Sequence, residues 1–277
     1  MPRTAPREEP LNTSEEEKQD IAENQGLSAV SVYGIVHEEG VDELERPLSS
    51  LWWSGVAAGL GITSSVIAEG VLHTTFEGHP YQAAIENLGY TVGFVLVILG
   101  RLQLFTENTL TAILPLLVQR TPRRLWCTAR LWSVILLANF VGTFLASAFA
   151  VWGSPIPPEN VEGMIAISRH FAEHTPGEAF WLGVPAGFYI AAIVWMMPSA
   201  RGASVLVIVM FTYLIAMGGF THVIAGSAEM FLLLLSGEVG ALNVASLLGA
   251  TLMGNILGGT GLFALLAYGQ VAQEIER

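Results

Sequence analysis

Apolar residues dominate residues 50–72, 86–118, 127–152, 178–199, 203–236 and 243–268. Each stretch reaches the roughly 20 residues that carry a helix across a bilayer. The pattern therefore predicts six membrane spans. Two of them, 86–118 and 203–236, are too long for simple spans and turn polar at their centres, from Arg101 to Thr109 and from Gly218 to Glu229. Polar interruptions at matching places predict two broken helices. The backbone groups freed there need partners within the protein, because lipid offers none.

The chain also repeats itself. Trp53-Ser54-Gly55-Val56-Ala57-Ala58-Gly59 returns as Trp181-Leu182-Gly183-Val184-Pro185-Ala186-Gly187, an offset of 128. Leu104-Phe105-Thr106 returns as Gly219-Phe220-Thr221 at 115, and Asn139-Phe140-Val141-Gly142 as Asn255-Ile256-Leu257-Gly258 at 116. Three matches in one order at similar offsets predict a duplicated unit. Three spans per unit force the second copy to enter from the opposite side. The expectation is an all-α membrane protein whose channel domain, 48–270, holds two inverted three-helix repeats, 48–152 and 178–268, with helices 2 and 5 broken.

Composition agrees. The 277 residues are 52% hydrophobic and 13% charged, against about 25% charged for soluble domains, and the mean hydropathy is +0.53. The 29 glycines suit helices that pack closely or break. Charge is concentrated at the start: residues 1–46 hold 12 of the 24 acidic residues. Residues 1–47 thus read as an acidic, largely disordered arm, with a short helix around 27–37. A net charge of −12 without a basic stripe excludes nucleic acid as a partner. The lone Cys127 excludes an intrachain disulfide. Arg120, Arg123, Arg124 and Arg130, with Arg46, Arg201 and Arg277, fall on one side of six spans and only Arg169 on the other, which predicts cytoplasmic termini.

Leu104-Phe105-Thr106, Gly219-Phe220-Thr221-His222 and Gly254-Asn255-Ile256-Leu257-Gly258-Gly259 resemble the signatures of the formate/nitrite transporter family, in its order and near its spacing. The resemblance covers about residues 48–268 and is nearest to a branch of bacterial inner-membrane proteins. It implies an aquaporin-like six-helix protomer, a homopentamer in the lipid membrane, and one pore per protomer for small monovalent anions or their weak acids. It implies no cofactor.

His222 is the leading candidate for pore chemistry. An ionisable group within a membrane is costly and marks a site, and imidazole donates hydrogen bonds or protons near neutral pH. The matching family histidine sits midway along the pore between two apolar constrictions. Thr106 can offer a hydroxyl to the permeant or to His222, and Thr221 is expected to be its repeat partner. Phe105, Phe94 and Ile215 are the candidate constrictions, and Phe220 belongs to the same pore set. Asn139 and Asn255 lie in apolar spans, where their amides can hold backbone groups exposed at the breaks.

Departures from the family pattern bear on the solute. Glu107 stands where Gly or Ser follows the first Phe-Thr, and Gly226 stands where the family has Asn, followed by Glu229. The family's vestibule lysine has no counterpart, since no lysine follows Lys18; Arg169 or His170 lies near that position. Arg101 is expected to pair with Glu107 or Glu229, as a buried arginine requires. Two alternatives therefore stay open: a pore for a cation or neutral solute, and a membrane scaffold or sensor that does not transport. An enzyme is not expected. The histidines lack metal-ligand spacing, apart from the i, i+4 pair His170 and His174.

Overall fold

The computed structural model describes residue 14 and residues 25–153 and 155–275, and all regular structure among them is helical. Arg277 and all of the acidic residues before position 25 lie outside the described residues. Helix α1, Ala29–Glu45, precedes α2, Leu48–Thr75, and α3, Gln82–Leu99. Two short helices follow, α4, Asn108–Thr111, and α5, Leu114–Val118, and then α6, Pro122–Trp152. The second half comprises α7, Pro158–Ala172; α8, Pro176–Met196; α9, Ser204–Met217; and α10, Val223–Leu235. It closes with α11, Ala241–Ile256, which runs through a π-helical stretch, Leu257–Ala264, into α12, Leu265–Ile275.

Five of these segments are long and apolar enough to cross a membrane: 48–75, 82–99, 122–152, 176–199 and 241–275. The expected spans 86–118 and 203–236 are split, the first into α3 and α4–α5, the second into α9 and α10. The helix starts follow local chemistry. Thr121 caps α6 through the Arg124 N–H ahead of Pro122, and Thr175 and Glu178 cap α8 reciprocally around Pro176. Trp53, Trp126, Trp152 and Trp181 stand exposed at helix ends, where indole rings suit a membrane interface.

The two halves pack alike, residue by residue. A Cβ on Gly59 would lie 2.2 Å from the Asn139 carbonyl, and one on Gly187 2.2 Å from the Asn255 carbonyl. A Cβ on Gly142 would meet the Val56 carbonyl, and one on Gly258 the Val184 carbonyl. So α2 lies against α6, and α8 against α11, at distances only glycine tolerates. The offsets relating these contacts are the 128 and 116 of the sequence match.

The breaks correspond at a different offset. Arg101 (φ 53°) and Gly219 (φ 61°) both take left-handed backbone. Leu102 N–H donates to the Val97 carbonyl and Phe220 N–H to that of Ile215, each at 3.0 Å. This fixes an offset of 118, so Thr221 corresponds to Gln103 and His222 to Leu104. The expected partnership of Thr106 with Thr221 is therefore corrected: the shared Phe-Thr letters are three residues out of register. The second break is also shorter than expected, 218–222, and Glu229 lies within α10 rather than in it.

Helix α1 extends beyond the short helix expected around 27–37. Val32, Tyr33, Val36, Gly40 and Leu44 form one buried stripe at helical spacing, packed with Leu110, Ile113 and Leu114 and with Val271 of α12. A Cβ on Gly40 would sit 2.0 Å from the Thr111 carbonyl. Arg130 of α6 donates to the Leu44 carbonyl at 2.7 Å. The last third of the acidic arm is thus docked on the helical body.

Candidate functional site: the two helix breaks and His222

The breaks are held by asparagines. Asn139 Oδ1 accepts from the Phe105 N–H at 2.9 Å, and its Nδ2 donates to the carbonyls of Gly55 and Gln103 at 2.8 Å each. Asn255 Oδ1 accepts from the Val223 N–H at 2.8 Å, and its Nδ2 donates to the carbonyls of Gly183 and Thr221 at 2.8 and 2.9 Å. Both side chains are fully buried. Backbone groups that lipid could not satisfy are satisfied by amides from neighbouring helices.

His222 occupies the cap position of α10. Its Nδ1 accepts from the Ala225 N–H at 3.1 Å, and its Nε2 lies 2.7 Å from Thr106 Oγ1. A ring nitrogen that accepts carries no proton, so the proton of the neutral ring is on Nε2 and is donated to Thr106. The hydroxyl hydrogen of Thr106 has no acceptor among the described hydrogen bonds. Both side chains are buried, His222 at 1% exposure. Phe94 meets the imidazole edge-to-face at 5.0 Å. Phe94, Phe105 and Ile215 are fully buried in one apolar cluster, with Phe220 packed against it.

Thr221 is occupied otherwise. Its hydroxyl donates to the Ala179 carbonyl at 2.7 Å and its carbonyl accepts from Asn255. Phe220 stacks near Tyr189, 6.1 Å between ring centroids.

Two cavities approach this centre and share no lining residue. The smaller, about 80 Å³, is bounded by Glu39, Arg101, Gln103 and Glu107. The larger, about 410 Å³, is bounded by Glu69, Tyr90, Phe171, His222 and Glu229. The buried Phe94, Leu104, Phe105 and Thr106 line neither.

The expected partners of Arg101 are corrected. Its guanidinium pairs with Glu39 of α1 at 3.0 Å and is 75% exposed. It sits on the rim of the small cavity and not in the interior, so it needs no buried counter-charge. Glu107 lines the same cavity, and its buried Oε1 has no hydrogen-bond partner. Of the two residues near the position of the family's vestibule lysine, Arg169 is held by Glu238 through two hydrogen bonds of 2.6 and 2.8 Å, with Glu162 at 3.4 Å, and His170 lines the larger cavity. Gly226 faces Phe171: a Cβ there would lie 2.3 Å from the ring, so an aromatic fills space next to the helix where the family pattern has a polar side chain.

Sequence reasoning gave no role to Glu69 or Tyr90, which the fold brings to the larger cavity from α2 and α3. An acidic residue inside an apolar helix was the available signal for Glu69.

The profile described as Formate/nitrite transporter matches residues 30–269. Inner membrane protein YfdC of Escherichia coli K12 is 39% identical over 249 residues, covering 89% of this chain and 80% of that protein. Formate channel FocA of Haemophilus influenzae is 29% identical over 222 residues, 74% of this chain and 75% of that protein. Among solved structures, a pentameric formate channel with formate bound superposes with a TM-score of 0.69 at 21% identity, covering 82% of this chain and 98% of that one. An FNT family ion channel superposes at 0.75 and 17% identity, covering 87% and 99%. With the profile spanning most of the sequence and the helical break architecture in place, the chain belongs to the formate/nitrite transporter family, a family of channels and transporters rather than enzymes.

Proposed function

We propose that the protein is a channel for small monovalent anions of weak acids, such as formate or nitrite, and that the permeant crosses at His222 and Thr106. The observation that carries this reading is the buried hydrogen bond between Nε2 of His222 and Oγ1 of Thr106. With the imidazole proton committed to the threonine oxygen, the threonine hydroxyl hydrogen is available to a small anion stripped of water. A hydrogen-bond donor there offsets part of the desolvation cost, which for an unpaired ion in an apolar slot is prohibitive. An anion that takes the place of Thr106 instead receives the Nε2 proton's hydrogen bond directly.

Phe94, Phe105 and Ile215 serve as the apolar constrictions on either side, with Phe220 and Thr221 shaping the approach. The arginines Arg120, Arg123 and Arg124, at the end where α1 docks, support a cytoplasmic side there, with both termini on it. Exposed apolar side chains along α6, including Leu137, Phe144, Leu145 and Phe149, suit lipid or a neighbouring protomer. A homopentamer in a bacterial inner membrane is supported by the relatives, a pentameric formate channel and an inner membrane protein of Escherichia coli.

The test is dye-reported weak-acid flux of formate and nitrite, with chloride as control, into vesicles holding the purified protein. Flux of the weak acids that His222→Ala alters supports the reading. Silence toward every small monovalent acid, with the protein shown to be folded, would move the assignment to another solute.

A further inference from the structure

The larger cavity is an acidic chamber. Helix α2 contributes Glu69, α3 contributes Glu86 and Tyr90, α7 contributes His170, the turn after α7 contributes Glu173 and His174, and His222 and Glu229 come from the cap and body of α10. No arginine or lysine lines it.

Most of these groups already have partners. Glu86 Oε2 lies 2.8 Å from His73 Nδ1. Glu173 is exposed and lies 3.8 Å from His170. Arg169, the nearest arginine on α7, is held by Glu238 and Glu162. His222 is committed to Thr106 and Ala225.

His174 lies edge-on to Phe171, and three oxygen-bearing groups remain: Glu69, Tyr90 and Glu229. Glu69 is 7% exposed, as is Tyr90, and no hydrogen bond or ion pair engages the side chain of any of the three among the described residues. The two carboxyls interact electrostatically with each other, and Tyr90 with both. Two carboxylates lining one cavity without a counter-charge beside them are unstable as a pair of anions. Among the described residues no arginine or lysine lines the chamber to relieve them.

We propose that the carboxyls of Glu69 and Glu229, with the Tyr90 hydroxyl beside them, form a binding site for one positive charge, a proton or a small monovalent cation, in the chamber that leads to His222. A divalent metal is the wrong ligand: calcium takes about 6–8 oxygens, and no cluster of three metal-binding side chains occurs among the described residues. One positive charge leaves the pair with a net single negative charge, or with one neutral acid whose O–H donates to the other carboxylate. Tyr90 can donate to the same oxygens. Loading this site removes part of the repulsion that an incoming anion meets before His222. The coupling to weak-acid flux rests on the proposed function; the site itself does not.

The decisive measurement uses the wild-type full chain in lipid nanodiscs and infrared difference spectroscopy. If the charge is a proton, a carboxylic C=O stretch appears and changes intensity on titration with acid and base. If it is a metal or ammonium ion, that band is absent and the carboxylate stretch shifts on titration with sodium or ammonium chloride. Either signal is lost in Glu69→Gln or Glu229→Gln. Two ionised carboxylates insensitive to both titrations overturn the proposal, and the wild type alone suffices to show it. In vesicles, formate flux should change with external pH or cation by up to about tenfold per tenfold change in concentration, the limit for one bound charge. The double Gln variant should lose that dependence. Infrared signals without any weak-acid flux uphold the site and refute the anion channel; flux without the signals does the reverse.

Discussion

Nε2 of His222 lies 2.7 Å from Oγ1 of Thr106 while Nδ1 of the same ring accepts from the Ala225 N–H. The two contacts leave the imidazole a single tautomer and a single orientation. Thr106→Val keeps the shape of the side chain and removes the acceptor, stranding a buried N–H at a cost of about 1–3 kcal/mol. Thr106→Ser retains the oxygen and should cost less. Thermal unfolding of the purified variants checks the order. Equal stability of Val and wild type would sink the assigned hydrogen bond.

Asn139 and Asn255 carry matching duties, so their removal should hurt alike. Asn139→Leu leaves the Phe105 N–H and the Gln103 carbonyl of the first break unpaired, and Asn255→Leu does the same to the Val223 N–H and the Thr221 carbonyl at the second. At about 1–3 kcal/mol for each buried orphan, either change should cost upwards of about 2 kcal/mol. Asn→Asp at either place keeps the acceptor, loses both donors and turns a negative charge toward two carbonyls, so it should be no better. A melting series in detergent would expose a difference between the two sites, and a tolerated Asn255→Leu would refute their equivalence.

How far the sequence could be read depended on what kind of contact defined each feature. The glycine contacts at Gly59 and Gly187 and the two asparagines were legible, because their chemistry admits few other residues. The register of the breaks was not. It is set by backbone turns at Arg101 and Gly219, and these need no shared side chain, so the matching Phe-Thr letters misled by three positions. Helix α1 had a readable stripe from Val32 to Leu44, hidden by the acidic residues on its other face. The Arg101–Glu39 pair joins residues 62 positions apart, and the cavity shared by Glu69 and Glu229 brings together residues 160 apart; no local pattern announces either.

The equivalence of Arg101 and Gly219 makes a test of its own. Gly219→Ala forces a Cβ into left-handed backbone (φ 61°) and should destabilise by about 1–2 kcal/mol. Arg101→Gly should relieve a similar cost at φ 53° while losing an exposed ion pair worth about 0–1 kcal/mol. It should be neutral or mildly stabilising by thermal unfolding. A strong loss of stability instead would mean that the Arg101–Glu39 pair anchors α1.

Gly226→Ala should act through Phe171. The added Cβ would lie 2.3 Å from the ring, against an ordinary contact of about 3.5–4.0 Å, so the ring must turn into the acidic chamber or α7 must shift. Overpacking of this kind costs about 1–3 kcal/mol. Pairing it with Phe171→Ala should recover part of that cost. A double-mutant cycle without coupling would show that the ring has another way out.

The latch between α7 and the loop before α11 should be pH-dependent. The Arg169 guanidinium donates two hydrogen bonds to Glu238 and holds that carboxyl below the usual range. A depressed folded value means that the pair's contribution is fully present above the unfolded glutamate value of about 4.3. It is lost as pH falls through the folded value. Glu238→Gln should therefore lower the melting temperature near neutral pH, and the gap to wild type should close in acid below about pH 4. Both groups are exposed, so the effect is small and salt should weaken it further. A gap that persists unchanged in acid would assign the loss to packing rather than charge. The same pairing keeps Arg169 from neutralising the chamber beside it, so breaking the latch with Glu238→Gln should also free a cation to approach Glu173 and raise anion entry.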